Sequence, residues 1–197
     1  HKKEITDSMF KAGNEVELTL DYKGKIYDAE LVNGMSGNYA VVIDKTEAKA
    51  KESDADKIDT GLGAKTLKIK MIFADGTVKT VEADSSKLND NNVTPAEWNA
   101  IVSKDLVTYQ INSSGQLTDI EKVPDKDLKS KTDSRVSSTG VYDTYTISDT
   151  AAIFRLPDAN DDATKASNYS VVKKSALLNT SKVSASYKLN KNGTVIE

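Results

Sequence analysis

The stretch Val16–Val32 reads VELTLDYKGKIYDAELV. Val16, Leu18 and Leu20 alternate with polar residues up to Asp21, and Ile26 resumes the apolar pattern two residues after Gly24. Alternation with a period of two marks a strand with one buried face. Asp three residues before Gly is the chemistry of a type I turn closing a hairpin. Its carboxylate caps the N–H groups of the turn, and the glycine takes up the left-handed conformation that follows.

The chain writes this pattern three times. The second copy is Asn112-Ser113-Ser114-Gly115, preceded by Val107, Tyr109 and Ile111 and followed by Leu117. The third is Asn190-Lys191-Asn192-Gly193, preceded by Ala185, Tyr187 and Leu189 and followed by Val195. An acid stands four residues past each glycine, at Asp28, Asp119 and Glu197. The glycines are 91 and then 78 residues apart. A unit closed by this hairpin is therefore a small domain, longer than the roughly 20–50 residues of a solenoid repeat.

Working outward, Lys25–Val32 returns from the first turn, and Tyr39–Ile43 is a short apolar strand ending at Asp44. From Lys45 to Lys65 the composition shifts to Lys, Glu, Asp, Ala and Gly, which predicts a charged loop with a helical turn at Glu47–Lys51. Leu67, Ile69, Met71 and Phe73 then alternate up to Asp75-Gly76, so Thr66–Ala74 is expected to pair with Thr77–Ala83. A helix is predicted near 95–103. Thr94 is a good N-cap, Pro95 suits the first helical position, Glu97 completes a capping box, and Val93 can staple onto Trp98. Trp98, Ile101 and Val102 share its apolar face.

Beyond Val123 the polar run 124–138 reads as a linker. Strands follow near Gly140–Ile147, Ala151–Leu156 and Tyr169–Val172, with a helical turn at Ser175–Leu178 before the third hairpin. The expected fold is mainly β: two small antiparallel β-barrel or sandwich units, each with a minor helix. Residues 1–123 form the first unit, 124–138 the linker and 139–197 a second, shorter unit. With His1-Lys2-Lys3 at one end and the third hairpin breaking off at Glu197, the sequence reads as a piece of a longer polypeptide.

Composition narrows the chemistry. The 197 residues hold no cysteine, which excludes disulfides and thiolate zinc sites. Net charge is −3 with lysines dispersed among acids, so neither a nucleic-acid stripe nor a polybasic membrane patch is expected. The sole histidine, His1, stands at the first position, which argues against Ser-His or Cys-His nucleophile systems and histidine metal clusters. Asp158, Asn160 and Asp162 occupy the first, third and fifth positions of an EF-hand-like loop. Ala163 stands where that loop needs glycine, and Tyr169 where it needs a bidentate Glu. The reading is a solvated acidic loop, and Asp54 with Asp56 and Asp84 with Asp90 are weaker clusters still. Trp98 could stack on a sugar, but its place on the staple favours the core, and Tyr109 and Tyr187 hold matching inward positions of the repeat. Gly34, Gly37, Gly61 and Gly63 lack the strand-to-helix setting of a phosphate loop. No catalytic, cofactor-binding or metal residue is assigned, and the chain is not expected to be an enzyme.

The segments VELTLDYKGKIYDAELV, LVTYQINSSGQLTDIEKV (Leu106–Val123) and Tyr169–Glu197 resemble the repeats between the anchoring modules and outer domains of S-layer and S-layer-homology-containing surface proteins of Firmicutes. Val93-Thr94-Pro95-Ala96-Glu97-Trp98 is similar to the Thr-Arg-Ala-Glu signature of the anchoring module, with Pro95 in place of its arginine. A capping box accounts for Thr94 and Glu97 without that kinship, so wall anchoring is not assigned to this chain. The resemblance implies a non-catalytic structural or spacer region at the bacterial cell surface or cell wall. Its partners would be neighbouring domains of the same polypeptide, with cell-wall glycan or like subunits as further candidates. The alternatives are a carbohydrate- or cell-wall-binding module and an accessory domain of a secreted hydrolase.

Overall fold

The structure, a computed structural model, describes residues 15–33, 38–49, 65–83, 88, 93–112, 114–178, 181–190 and 192–196. It is mainly β and divides into two compact units, His1–Asn38 and Tyr39–Glu197.

Among its described residues the first unit holds an antiparallel hairpin, β1 (Glu15–Leu20) and β2 (Ile26–Asn33). Leu20 lies opposite Ile26 and Thr19 opposite Asp28, so Tyr27 is an extra residue bulged out of the ladder. Leu18, Leu20, Ile26 and Tyr27 are all exposed.

The second unit is built on a five-stranded sheet. Its strands are β3 (Asn38–Lys49), β4 (Lys65–Phe73), β5 (Val78–Glu82), β6 (Leu106–Ile111) and β7 (Leu117–Lys122), in the order β5-β4-β3-β6-β7. The expected pairing across Asp75-Gly76 is present, with Ile72 opposite Val78 and Lys68 opposite Glu82. Between β5 and β6 stands helix α1 (Pro95–Ala100), shorter than predicted. Ile101 leaves the helix in an extended conformation, and Val102, expected on the apolar face, is exposed.

The period of two sorts the side chains. Ala40, Val42, Leu67, Ile69, Met71, Val81, Val107, Leu117 and Ile120 form one face and pack with Leu88, Val93, Trp98 and Ile101. Val41, Ile43 and Ile72 look the other way. The run 40–43 is apolar throughout because β3 is covered on both faces. A single parallel bridge joins Ala83 to Leu117, so the outermost strands β5 and β7 meet at one point. The sheets are not closed into barrels.

β3 does not end at Asp44. It runs to Lys49 against β4, and Glu47–Lys49, expected as a helical turn, is strand. Pairing with a long neighbour outweighs local composition here, because backbone hydrogen bonds form whatever the side chains are. Residues 50–64, the remainder of the predicted charged loop, lie outside the described residues.

The expected linker contains a 3₁₀ turn at Asp125–Asp127 and the strand β8 (Lys129–Ser134), which pairs with β13 (Val183–Tyr187). Its polar composition reflects an exposed two-stranded ribbon, while Val136 is buried. Residues on both sides of it fall in the compact unit Tyr39–Glu197. The remaining strands are β9 (Val141–Tyr142), β10 (Tyr145–Ile147), β11 (Ile153–Arg155), β12 (Ser170–Val172) and β14 (Val195–Ile196). β11 and β12 pair, and Phe154, Ala166, Tyr169 and Val171 from this layer cover Val41, Ile43, Ile72 and Leu106. A further core gathers Val136, Tyr142, Ile147, Tyr187 and Ile196. The third turn forms, but its flanks diverge: β13 goes to β8, and β14 runs parallel to β10. Among the described residues, Leu189 and Ile196 alone form a β-bridge across it.

Candidate functional site

The residues singled out by the sequence fall into three places: the repeated turns, the helix around Trp98, and the polar loops of residues 143–169. At the first turn Asp21 Oδ1 accepts from the N–H groups of Lys23 at 2.8 Å and Lys25 at 2.9 Å, and Gly24 N–H donates to the Asp21 carbonyl at 2.9 Å. Asn112 Oδ1 repeats this with Ser114 at 3.0 Å and Gln116 at 2.9 Å. Asn190 Oδ1 accepts from Thr194 at 2.9 Å and Val195 at 3.2 Å, a slightly longer reach. Gly24, Gly115 and Gly193 have φ of 74°, 80° and 68°, the left-handed conformation expected. Ser137 to Gly140 makes the same turn with a hydroxyl as cap: Ser137 Oγ accepts from Val141 N–H at 2.9 Å, and Gly140 has φ 78°. The sequence reading missed this copy because Ser replaces Asx.

The trailing acid has a visible task in the second copy. Gln110 Nε2 donates to Asp119 Oδ2 at 3.1 Å, across the strand pair and beside the bulged Thr118. Glu197 lies outside the described residues.

At α1 the predicted capping box is complete. Thr94 N–H donates to Glu97 Oε2 at 2.8 Å, and Glu97 N–H donates to Thr94 Oγ1 at 3.2 Å. The Thr94 backbone N–H, then the Thr94 hydroxyl, which donates to Glu97 Oε2 at 2.8 Å, hold the Glu97 carboxyl below its ordinary range. Trp98 is 1% exposed, so its ring has no free face for a sugar. Its Nε1 has no hydrogen-bond partner among the described residues. Above the ring stands Lys45 Nζ, 5.2 Å from the centroid, donating to the Trp98 carbonyl and, at 2.8 Å, to that of Ile101. A cation on the last carbonyls of a helix satisfies acceptors that the helix leaves open and complements its dipole.

Lys45 reaches this place through a bulge. Val42 pairs with Met71 but Asp44 with Lys70, so Ile43 is the extra residue and the strand changes phase. Without that shift Lys45 would point away from the helix. The sequence placed Lys45 in a loop, and its only legible signal was the break in alternation at Val41-Val42-Ile43.

In the acidic loop Asp162 Oδ1 accepts from Thr164 N–H at 2.9 Å and from its hydroxyl at 2.7 Å, and Asp161 Oδ2 accepts from Asp158 N–H at 3.1 Å. The Thr164 hydroxyl is the first cause of the lowered Asp162 pKa. Tyr169 fills no ligand position; its hydroxyl donates to the Ala163 carbonyl at 2.6 Å. Among the described residues no group of three His, Cys, Asp or Glu side chains is placed to hold a metal ion. His1, Asp54, Asp56, Asp84, Asp90, Gly34, Gly37, Gly61 and Gly63 lie outside the described residues.

The densest polar cluster was not foreseen. Asp143, at φ 57°, sits in the two-residue turn between β9 and β10. Its Oδ2 accepts from the Tyr187 hydroxyl at 2.9 Å, and its Oδ1 pairs with Lys131 Nζ at 3.1 Å. The Tyr187 hydroxyl, then Lys131, hold the Asp143 carboxyl low. Burial, then Asp143, push the Tyr187 phenol up to about 12. Tyr142 stands edge-on to Tyr187 at 5.8 Å and donates to the Lys131 carbonyl at 2.8 Å. An acid facing a phenol and a lysine in fixed hydrogen bonds fastens a turn onto the ribbon β8–β13. Comparison of the chain with protein-family models, with curated proteins and with solved structures returned no match.

Proposed function

We propose that this chain is a non-catalytic structural or spacer region of a bacterial cell-surface protein of the S-layer type, built from serial β-units. The observation that supports this reading is the covering of the sheet's outer face by the chain itself. A meander of three strands, a helix, and a hairpin returning beside the first strand is the connectivity of the OB arrangement, a partly open barrel whose ligand surface includes the face of its second and third strands. Here Ile72 on the second strand, with Val41 and Ile43 beside it on the first, lies under Phe154, Tyr169 and Val171. Burial of that apolar surface stabilises the unit and leaves the face to the fold itself. The polar side chains with shifted pKa values cap turns and helix ends, a holding task. The bacterial-surface part of the proposal rests on the resemblance of the repeats.

Antibodies raised against residues 39–197 test it on intact cells. The expected result is labelling before lysis that brief external protease treatment removes. Labelling only after lysis would overturn the proposal.

A further inference from the structure

Two hairpins of one design sit in opposite surroundings. β1–β2 and β6–β7 share the capped turn, the bulge at Tyr27 and Thr118, and the same cross-strand partners counted from the turn. In β6–β7 the inward Leu117 is fully buried in a seat made by β3, β4 and α1. Its counterpart Ile26 is 46% exposed, and Leu18, the counterpart of Tyr109, is 43% exposed. A hairpin of two strands alone is at best marginally stable, so this pattern needs a seat.

We propose that β1–β2 is the closing hairpin of a further unit of the same construction in a longer polypeptide, with its Leu18 and Ile26 face docked on that unit's own meander and helix. The proposal deepens the serial-unit reading and rests on it. The packing of β6–β7 supplies the interface, and chain order supplies the source. In the described unit the seat lies just upstream of its hairpin, α1 ending at Ala100 and β6 starting at Leu106. In a second copy of this chain the matching seat, as the described residues form it, is already filled by its own β6–β7.

The absence of cysteine allows a direct test with single-cysteine variants. Ile26→Cys and, as a control in the turn, Tyr22→Cys are labelled with a maleimide in the 197-residue chain and in the longer polypeptide. Ile26→Cys is expected to react at least about tenfold more slowly in the longer polypeptide, as a position opened only by local unfolding does, while Tyr22→Cys reacts equally in both. Equal rates for Ile26→Cys would overturn the proposal. So would slowing within the 197-residue chain as its concentration rises, which would assign the face to a second copy. A coding sequence with no such unit upstream would overturn it too. The intact-cell antibody result does not enter these rates, so failure of the surface assignment and failure of the docking are separately visible.

Discussion

The hairpins β1–β2 and β6–β7 are nearly the same object. Counted from the turn, Val16 matches Val107, Gly24 matches Gly115, Asp28 matches Asp119, and both ladders slip at the same place. One contributes Val107, Leu117 and Ile120 to a hydrophobic core, while in the other Leu18, Leu20 and Ile26 are exposed. The difference teaches that local pattern specifies the hairpin, its register and its bulge, while stability comes from what lies against its apolar face. The third copy marks the limit of the pattern: with the same capped turn, its strands part and join β8 and β10.

The largest expected effect contrasts the two faces directly. Leu117→Ala should lower the unfolding free energy by about 2–5 kcal/mol through lost burial and the cavity left behind. Ile26→Ala, at the matching position, should cost less than about 1 kcal/mol. Urea midpoints of the two variants check this, and equal losses would break the comparison. Next come the turns. Gly115 and Gly24 both have open space around a built Cβ, so alanine meets only the left-handed backbone penalty of about 1–2 kcal/mol. Gly115→Ala should show that loss in the urea transition of the second unit, and Gly24→Ala should leave the transition where it is. Lys45→Met keeps an apolar chain over Trp98 but removes the bonds to the helix carbonyls. It should cost about 1 kcal/mol, read by the same midpoints.

A pH-dependent effect concerns Tyr187, which holds the place of Tyr109 and Leu18 in the third copy. Its pKa rises from 10.0 to about 12 on folding. A group raised in the fold contributes stability that is complete below its unfolded value and is lost as pH climbs through the folded one. The unfolding midpoint should therefore fall between about pH 10 and about pH 12, and Tyr187→Phe should flatten that slope. An unchanged slope would mean that the phenol is not buried beside Asp143 as described.

How much of this was legible follows from the range of each interaction. Strand alternation, the Asp75-Gly76 hairpin, the Asx turns and the capping box at Thr94 are local, and each appears where the residues require it. Trp98 was legible as core because the staple fixed its side of the helix. The long course of β3, the bulge at Ile43 and the capping role of Lys45 depend on β4 and α1, which local sequence does not name. The polar ribbon β8 looked like a linker because the strand it pairs with, β13, lies 49 to 58 residues on, beyond the reach of local pattern. Asp143 was hidden inside an expected strand, where a single residue at positive φ splits Gly140–Ile147 into two.

Native-state amide hydrogen exchange measures the central contrast within one sample. Amides of β6–β7 should exchange only through opening of the whole second unit, while those of β1–β2, at matching positions counted from the turn, should exchange by local fraying and far faster. Equal protection of the two hairpins would contradict the account.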